Sequence, residues 1–224
     1  MLKHLPNFLT CCNLICGCLG IIFLWEGSHI ATAYFVWAAC LFDFFDGFAA
    51  RMLKISSPIG KELDSMADMV SFGALPSLFM YKLLDFESPI PSLPYIALLI
   101  ALCSAIRLAV FNLDVTQSDS FKGLPTPANA IFITGIPFLN YPAFDFLFSP
   151  LTLTVLTVAF SLLMVSRIDL FALKFKNFGW ADNKVRFTFL LLAVLLLGVL
   201  QFAAIPLVIL LYVTLSLGVR AFSK

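Results

Sequence analysis

Residues 41–51 read Leu41-Phe42-Asp43-Phe44-Phe45-Asp46-Gly47-Phe48-Ala49-Ala50-Arg51, and residues 60–68 read Gly60-Lys61-Glu62-Leu63-Asp64-Ser65-Met66-Ala67-Asp68. The first stretch closes one apolar run and the second opens the next. Asp43 and Asp46 stand at i and i+3, and Asp64 and Asp68 at i and i+4, so each pair shares one face of a helix. Glu62 lies off that face, at the loop edge, and reads as solvated. The short connection makes the two helices antiparallel neighbours at one end, where the four aspartates converge. Acids carried on apolar helices are costly and mark function by default.

Composition says what surrounds those helices. The 224 residues are 61% hydrophobic and 12% charged, mean hydropathy is +1.00, and 25 residues are Phe. A soluble domain is about 25% charged. The 14 Lys or Arg and 13 Asp or Glu cannot clothe a water-soluble globule of this size. An ordinary soluble domain, a disordered chain and a nucleic-acid binder built on a basic face are excluded. The net charge of +1 steers no partner. The six cysteines, Cys11, Cys12, Cys16, Cys18, Cys40 and Cys103, lie in or beside apolar runs and read as small packing groups.

Eight apolar runs are expected to span a bilayer: 8–25, 30–53, 63–84, 93–111, 127–139, 151–168, 185–200 and 202–217. The first follows Lys3 and His4 but lacks a small-residue cleavage site, so it reads as a span and not a signal peptide. The fifth is short and interrupted by Pro137; it reads as a broken helix or as one extended through Asn140 and Pro142. An even count puts both termini on one side. On that side fall Lys3, Arg51, Lys54, Lys61, Arg107, Lys122, Arg167, Lys174, Lys176, Lys184, Arg186, Arg220 and Lys224; only Lys82 falls on the other. The positive-inside rule makes the crowded side cytoplasmic. Asp114 and Asp119 read as solvated loop acids. Lys174, Lys176, Lys184 and Arg186 read as a topology determinant that meets anionic headgroups, and Trp25, Trp37 and Trp180 as lipid-contact and interface residues. The expected fold is all-α: a polytopic transmembrane helical bundle of about eight spans, both termini cytoplasmic, forming one integral membrane domain over 1–224. The functional surface is expected at the cytoplasmic helix ends.

Four converging carboxylates repel one another unless neutralised, and only Arg51 and Lys61 are near in sequence. Divalent cations held by oxygen ligands, Mg²⁺, Mn²⁺ or Ca²⁺, are the expected compensation, and a carboxylate-bridged pair of ions suits phosphoryl chemistry. Gly47 and Ala50 lie at i+4 and i+7 from Asp43 and flatten the face beside the acids. Arg51 closes the stripe with a guanidinium that can hold a phosphate bidentately. Together they point to a diphosphate or nucleotide ligand. The same residues also admit an ion or proton pathway, as in a cation-coupled transporter, and plain helix packing.

The stretch from Asp43 to Asp68 resembles the signature D-x2-D-G-x2-A-R-x8-G-x3-D-x3-D of the CDP-alcohol phosphatidyltransferases. Asp43, Asp46, Gly47, Ala50, Arg51, Gly60, Asp64 and Asp68 fill every fixed position. Softer similarities to the bacterial, serine-accepting branch run in order to residue 128. They are Leu5-Pro6-Asn7-Phe8-Leu9-Thr10 with Asn13 and Gly17, then Asp68-Met69-Val70-Ser71-Phe72-Gly73, then Arg107-Leu108-Ala109-Val110-Phe111-Asn112. The last is Phe121-Lys122-Gly123-Leu124-Pro125-Thr126-Pro127-Ala128. Val110 departs from that branch, which has an Arg there. Beyond about residue 139 only hydrophobicity matches.

The resemblance implies a catalytic core over about 5–140, with additional transmembrane helices over about 150–217. It implies that Asp43, Asp46, Asp64 and Asp68 serve two divalent ions, Mg²⁺ or Mn²⁺, Asp68 being also the general base. Gly47, Ala50, Arg51, Gly60 and Thr10 would contact the CDP group. The implied substrates are CDP-diacylglycerol and L-serine, with phosphatidylserine and CMP as products. Arg107, Asn112 and Ser71 are candidate contacts for the acceptor or a phosphate. Other acceptors, such as glycerol 3-phosphate, inositol or ethanolamine, fit the same chemistry. A homodimer in the cell inner membrane, with its site towards the cytoplasmic face and membrane lipids around it, completes the expectation; no nucleic acid is expected.

Overall fold

The computed structural model describes residues 4–55, 57–113, 121–170 and 179–222. Lys3, Asp114, Asp119, Lys174, Lys176 and Lys224 lie outside the described residues.

Helix α1 (Leu5–Trp25) begins with Pro6, whose fixed φ and missing N–H suit a first turn. Its 21 residues make about 31 Å of rise, close to a hydrocarbon core. Gly27, at φ 81°, turns the chain into α2 (His29–Leu53). Lys54 ends α2 in the left-handed region at φ 53°, with its N–H returned to the last carbonyls. Ser57 then caps α3 (Pro58–Asp68) by accepting from the Gly60 N–H at 3.0 Å. Asp68 leads directly into a π-helical turn, Met69–Ala74, and on into α4 (Leu75–Glu87), so Pro58 to Glu87 is one uninterrupted helical rod.

A 3-10 turn, Leu93–Ala97, opens α5 (Leu98–Leu113). Then come β1 (Phe121–Lys122), α6 (Thr126–Gly135), 3-10 turns, α7 (Pro150–Val165), β2 (Asp169–Leu170), α8 (Trp180–Leu200) and α9 (Ala204–Phe222). β1 and β2 form a two-residue antiparallel pair, Phe121 opposite Leu170 and Lys122 opposite Asp169. The remaining described elements are helical, as expected.

The eight-run expectation does not carry over one for one. Four helical stretches are long and apolar enough to cross a bilayer: Leu5–Trp25, His29–Leu53, Leu93–Leu113 and Asn183–Gly218. A fifth counts if Pro142–Phe148 and Pro150–Val165, bent by 69°, form one span. The reasons are local. The 63–84 run is helical throughout, but the π-turn parts it into α3 and α4, 11 and 13 residues long. The 127–139 run is only a ten-residue helix with a 3-10 tail, and it stops before Asn140 and Pro142. The 185–217 stretch merges two expected runs, yet it folds back at Gln201 (φ 51°), and Phe189 of α8 meets Tyr212 of α9 at 5.9 Å.

Between helices in lipid, packing contacts replace the hydrophobic effect as the cohesive force, and small residues permit close approach. Gly17 of α1 lies so close to Ser71 of the π-turn that a Cβ there would overlap the Ser71 side chain and backbone. Gly73 likewise faces Met69 and Ser104, and Gly135 faces Pro206. Phe72, Phe79, Met80, Ile100, Ile133 and Leu153 fill the centre between α4, α5, α6 and α7. Phe44, Phe45 and Phe48 of α2 and most of α8 face outward. Those outward faces suit lipid contact.

Candidate active site

The acid-bearing ends of α2 and α3 meet. One oxygen from each of Asp43, Asp64 and Asp68 lies within 4.8 Å of the others. Asp43 and Asp64 are half-buried and Asp68 is buried. The electrostatic neighbours of Asp43 are Asp64 and Asp46, so its surroundings are acidic and not basic. Asp64 Oδ1 is buried with no hydrogen-bond partner. A buried acceptor without a donor needs one supplied, or a cation. Three hard oxygen ligands with an orphaned lone pair fit Mg²⁺ or Mn²⁺ and do not fit a thiol-seeking metal.

The fourth aspartate, Asp46, is not part of this group of three. Asp46 is buried, and its Oδ2 accepts from Thr10 Oγ1 at 2.6 Å. Pro6 O, at 3.1 Å, is the second acceptor within reach of that hydroxyl. Asp46 turns toward a cleft beside the triad. That cleft is walled by Pro6, Asn7 and Thr10 of α1 and by Asp46, Gly47 and Ala50 of α2. Ile55 and Ser57 of the linker and Gly60, Lys61 and Asp64 of α3 close it. Thr10, Gly47, Ala50 and Gly60 were expected there; Asn7, Ser57 and Lys61 were missed.

The two glycines serve different ends. A Cβ on Gly60 would come within 2.9 Å of Ser57 Oγ and 3.0 Å of Asn7 Oδ1, so this glycine lets the α1 start approach the α3 cap. The nearest neighbour of a Cβ on Gly47 would be the Arg51 guanidinium of the same helix, at 3.4 Å, which is ordinary contact. Gly47 lines the cleft. Arg51 does not line the cleft; it folds over Gly47 at the rim.

A model of the CDP-alcohol phosphatidyltransferases matches residues 3–219. The chain belongs to this family. A Bacillus subtilis (strain 168) CDP-diacylglycerol–serine O-phosphatidyltransferase is 34% identical over 171 residues, covering 75% of this chain and 89% of that protein. The archaetidylserine synthase of Methanothermobacter thermautotrophicus is 32% identical over 173 residues, covering 74% and 68%. A Helicobacter pylori (strain J99) CDP-diacylglycerol–serine O-phosphatidyltransferase is 34% identical over 130 residues, or 57% and 54%. The family match runs far past residue 128, where the recognisable motifs stop.

In this CDP-alcohol phosphatidyltransferase, α1 braces the acids. Asn13, fully buried and one turn beyond Thr10, donates from Nδ2 to Asp68 Oδ1 at 3.1 Å. Sequence reasoning gave Asn13 no role; an amide inside an apolar run was the available signal. The acceptor-side candidates separate. Ser71 is fully buried and donates to the Asn13 backbone carbonyl at 3.0 Å, so it ties α1 to the π-turn and faces neither pocket. Asn112 donates to Ser65 Oγ at 2.7 Å, and its carbonyl accepts from Lys61 Nζ at 2.6 Å, which fastens the end of α5 to α3. Arg107 lies within electrostatic reach of Asp68, and its Nε is buried without a partner.

Proposed function

We propose that this protein transfers the phosphatidyl group of CDP-diacylglycerol to the hydroxyl of L-serine, giving phosphatidylserine and CMP. The observation that carries this reading is the triad Asp43, Asp64 and Asp68 gathered beside a small-residue cleft. Membership of the family sets aside the transporter and packing readings, and the names of the relatives support serine as acceptor.

On this reading the nucleotide enters the cleft of α1, α2 and α3, against Gly47 and Ala50. Arg51 and Lys61 hold its phosphates, and the acyl chains stay in the bilayer. One or two Mg²⁺ or Mn²⁺ ions held by Asp43, Asp64 and Asp68 would neutralise charge on the diphosphate. Asp46 is fixed by Thr10 at the nucleotide side. The serine hydroxyl attacks the lipid-side phosphorus, a new P–O bond forms, and the bond to the CMP oxygen breaks. Asp68 takes the hydroxyl proton; Asn13 holds one of its oxygens and leaves the other free for this. Arg107 supplies positive charge on the acceptor side.

The topology belongs to the same proposal: eight crossings of a cell inner membrane, both termini and the site on the cytoplasmic side, in a homodimer. The one-sided distribution of Lys and Arg and the α8–α9 fold-back support it. The catalytic core is about 5–140 within a single integral membrane unit of 1–224.

Two measurements test the reading. Purified protein with CDP-diacylglycerol, a divalent cation and labelled serine is expected to release CMP only when serine is present. Release driven by glycerol 3-phosphate or inositol, and not by serine, would reassign the acceptor. Separately, Gly47→Ala is expected to keep or slightly raise Tm, since Ala gains about 0.8–1 kcal/mol of helix propensity over Gly. It should nonetheless weaken CDP binding by roughly tenfold or more. Gly60→Ala is expected to lower Tm through its clash with Ser57 and Asn7. Unchanged CDP affinity in a folded Gly47→Ala protein would remove Gly47 from the ligand site.

A further inference from the structure

Lys61 belongs to two places at once. It lines the cleft of α1, α2 and α3, and its Nζ donates to the backbone carbonyl of Asn112 at 2.6 Å. Asn112 does not line the cleft. It is the last residue but one of α5, so its carbonyl is among the four that a helix end leaves without an intrahelical partner.

The contact is held from both sides. Asn112 Nδ2 donates to Ser65 Oγ at 2.7 Å, and Ser65 Oγ donates to the Lys61 carbonyl at 3.2 Å. Ser65 stands one turn beyond Lys61 on α3. Lys61, Ser65 and Asn112 therefore close a ring of three hydrogen bonds between two helices.

Charge explains the ring. Lys61 is the fourth residue of α3, near the positive pole of that helix, where a cation is disfavoured. Asn112 O supplies the negative pole of α5 in compensation. An ammonium has three donors; the carbonyl takes one, and two remain for an anion in the cleft. A free lysine gives up rotamer freedom when it grips a phosphate. This one is tied at the cleft wall beforehand.

We propose that Asn112 is a positioning residue for the nucleotide. Its amide, through Ser65, seats the end of α5, and the α5 carbonyl at that end holds the Lys61 ammonium where a phosphate of the CDP group arrives. The proposal rests on the reading that the cleft takes the nucleotide. It gives Asn112 a part in donor binding without contact to the ligand. Arg107, five residues earlier on α5, lines a separate pocket at the C-terminal ends of α5 and α7, so one helix reaches both places.

Calorimetry of CDP and of cytidine on the whole purified chain, at saturating Mg²⁺, tests this. Asn112→Ala is expected to weaken CDP binding about fivefold, the cost of immobilising one long side chain. Cytidine, which has no phosphate, should bind as before. Ser65→Ala removes the same hydrogen bond from its other end and should act alike, with the double variant no weaker than either single one. In a Lys61→Ala protein, itself weaker for CDP, neither substitution should have a further effect. Unchanged CDP affinity in a folded Asn112→Ala protein overturns the proposal. So does an undiminished fivefold loss in the Lys61→Ala background, which would route Asn112 through another group. An equal loss for cytidine overturns it as well, since that marks general damage to the cleft. Where Asn112→Ala lowers Tm, Ser65→Ala carries the same comparison. Absence of CDP binding by the original protein would overturn the nucleotide reading of the cleft itself, and the proposal with it.

Discussion

At saturating Mg²⁺ or Mn²⁺, Asp68→Asn is expected to lower turnover by about 10³-fold while leaving nucleotide binding close to its original value. The introduced amide has the same shape, and its oxygen can still accept from Asn13 Nδ2, now at 3.1 Å from Asp68 Oδ1. What disappears is an oxygen able to carry the serine proton away. Loss of a positioned base costs about 10²–10⁴ in rate. The loss should therefore appear in kcat, with little change in CDP affinity. Single-turnover CMP release and CDP calorimetry on one sample measure both quantities. Original turnover in the folded variant would take the base assignment from Asp68.

Asp43→Asn should separate stability from function. Three carboxylate oxygens within 4.8 Å strain the cation-free protein, and no base relieves Asp43. Removing one charge should raise Tm in chelator; a gain of about 1 kcal/mol corresponds to roughly 2–4 °C for a chain of this size. With Mg²⁺ or Mn²⁺ the order should reverse. A cation that binds only the folded state adds about 2.7 kcal/mol at one hundred times its Kd, and the variant should forfeit most of that. Mn²⁺ titration followed by electron paramagnetic resonance gives a readout free of catalysis. An equal cation-induced Tm rise in both proteins would sink the metal role of Asp43. This is the familiar opposition between a functional cluster and the stability it sacrifices.

The pairing of acids was legible because helix periodicity is local: i, i+3 and i, i+4 spacing fixes a shared face whatever lies elsewhere. What decided the fate of each acid was long-range. Thr10 reaches Asp46 across 36 residues and Asn13 reaches Asp68 across 55, and nothing in residues 41–68 announces either. Gly47 and Gly60 look alike as letters. Only the neighbours of a would-be Cβ tell them apart: Arg51 of its own helix beside Gly47, and Ser57 and Asn7 beside Gly60. Lys122 and Arg167 read only as markers of sidedness, and Arg107 as a candidate acceptor or phosphate contact, since sequence assigned each to a loop or helix end without placing the loops together. The span count suffered for a related reason. The π-turn at Met69–Ala74 and the reversal at Gln201 divide or join apolar stretches that composition treats as uniform.

The brace from α1 also bears on how the chain enters the bilayer. Synthesis delivers N-terminal segments first, so α1 and α2 precede the rod that carries Asp64 and Asp68. An acidic segment approaching hydrocarbon alone meets a solvent that offers no donors. Here the Thr10 and Asn13 side chains and the gap at Gly17 already stand on one edge of α1. The first helix is thus a docking template: it offers the later segment a polar seam and a notch for Ser71, and integration of the acids becomes an assembly step between helices instead of a solitary partition into lipid.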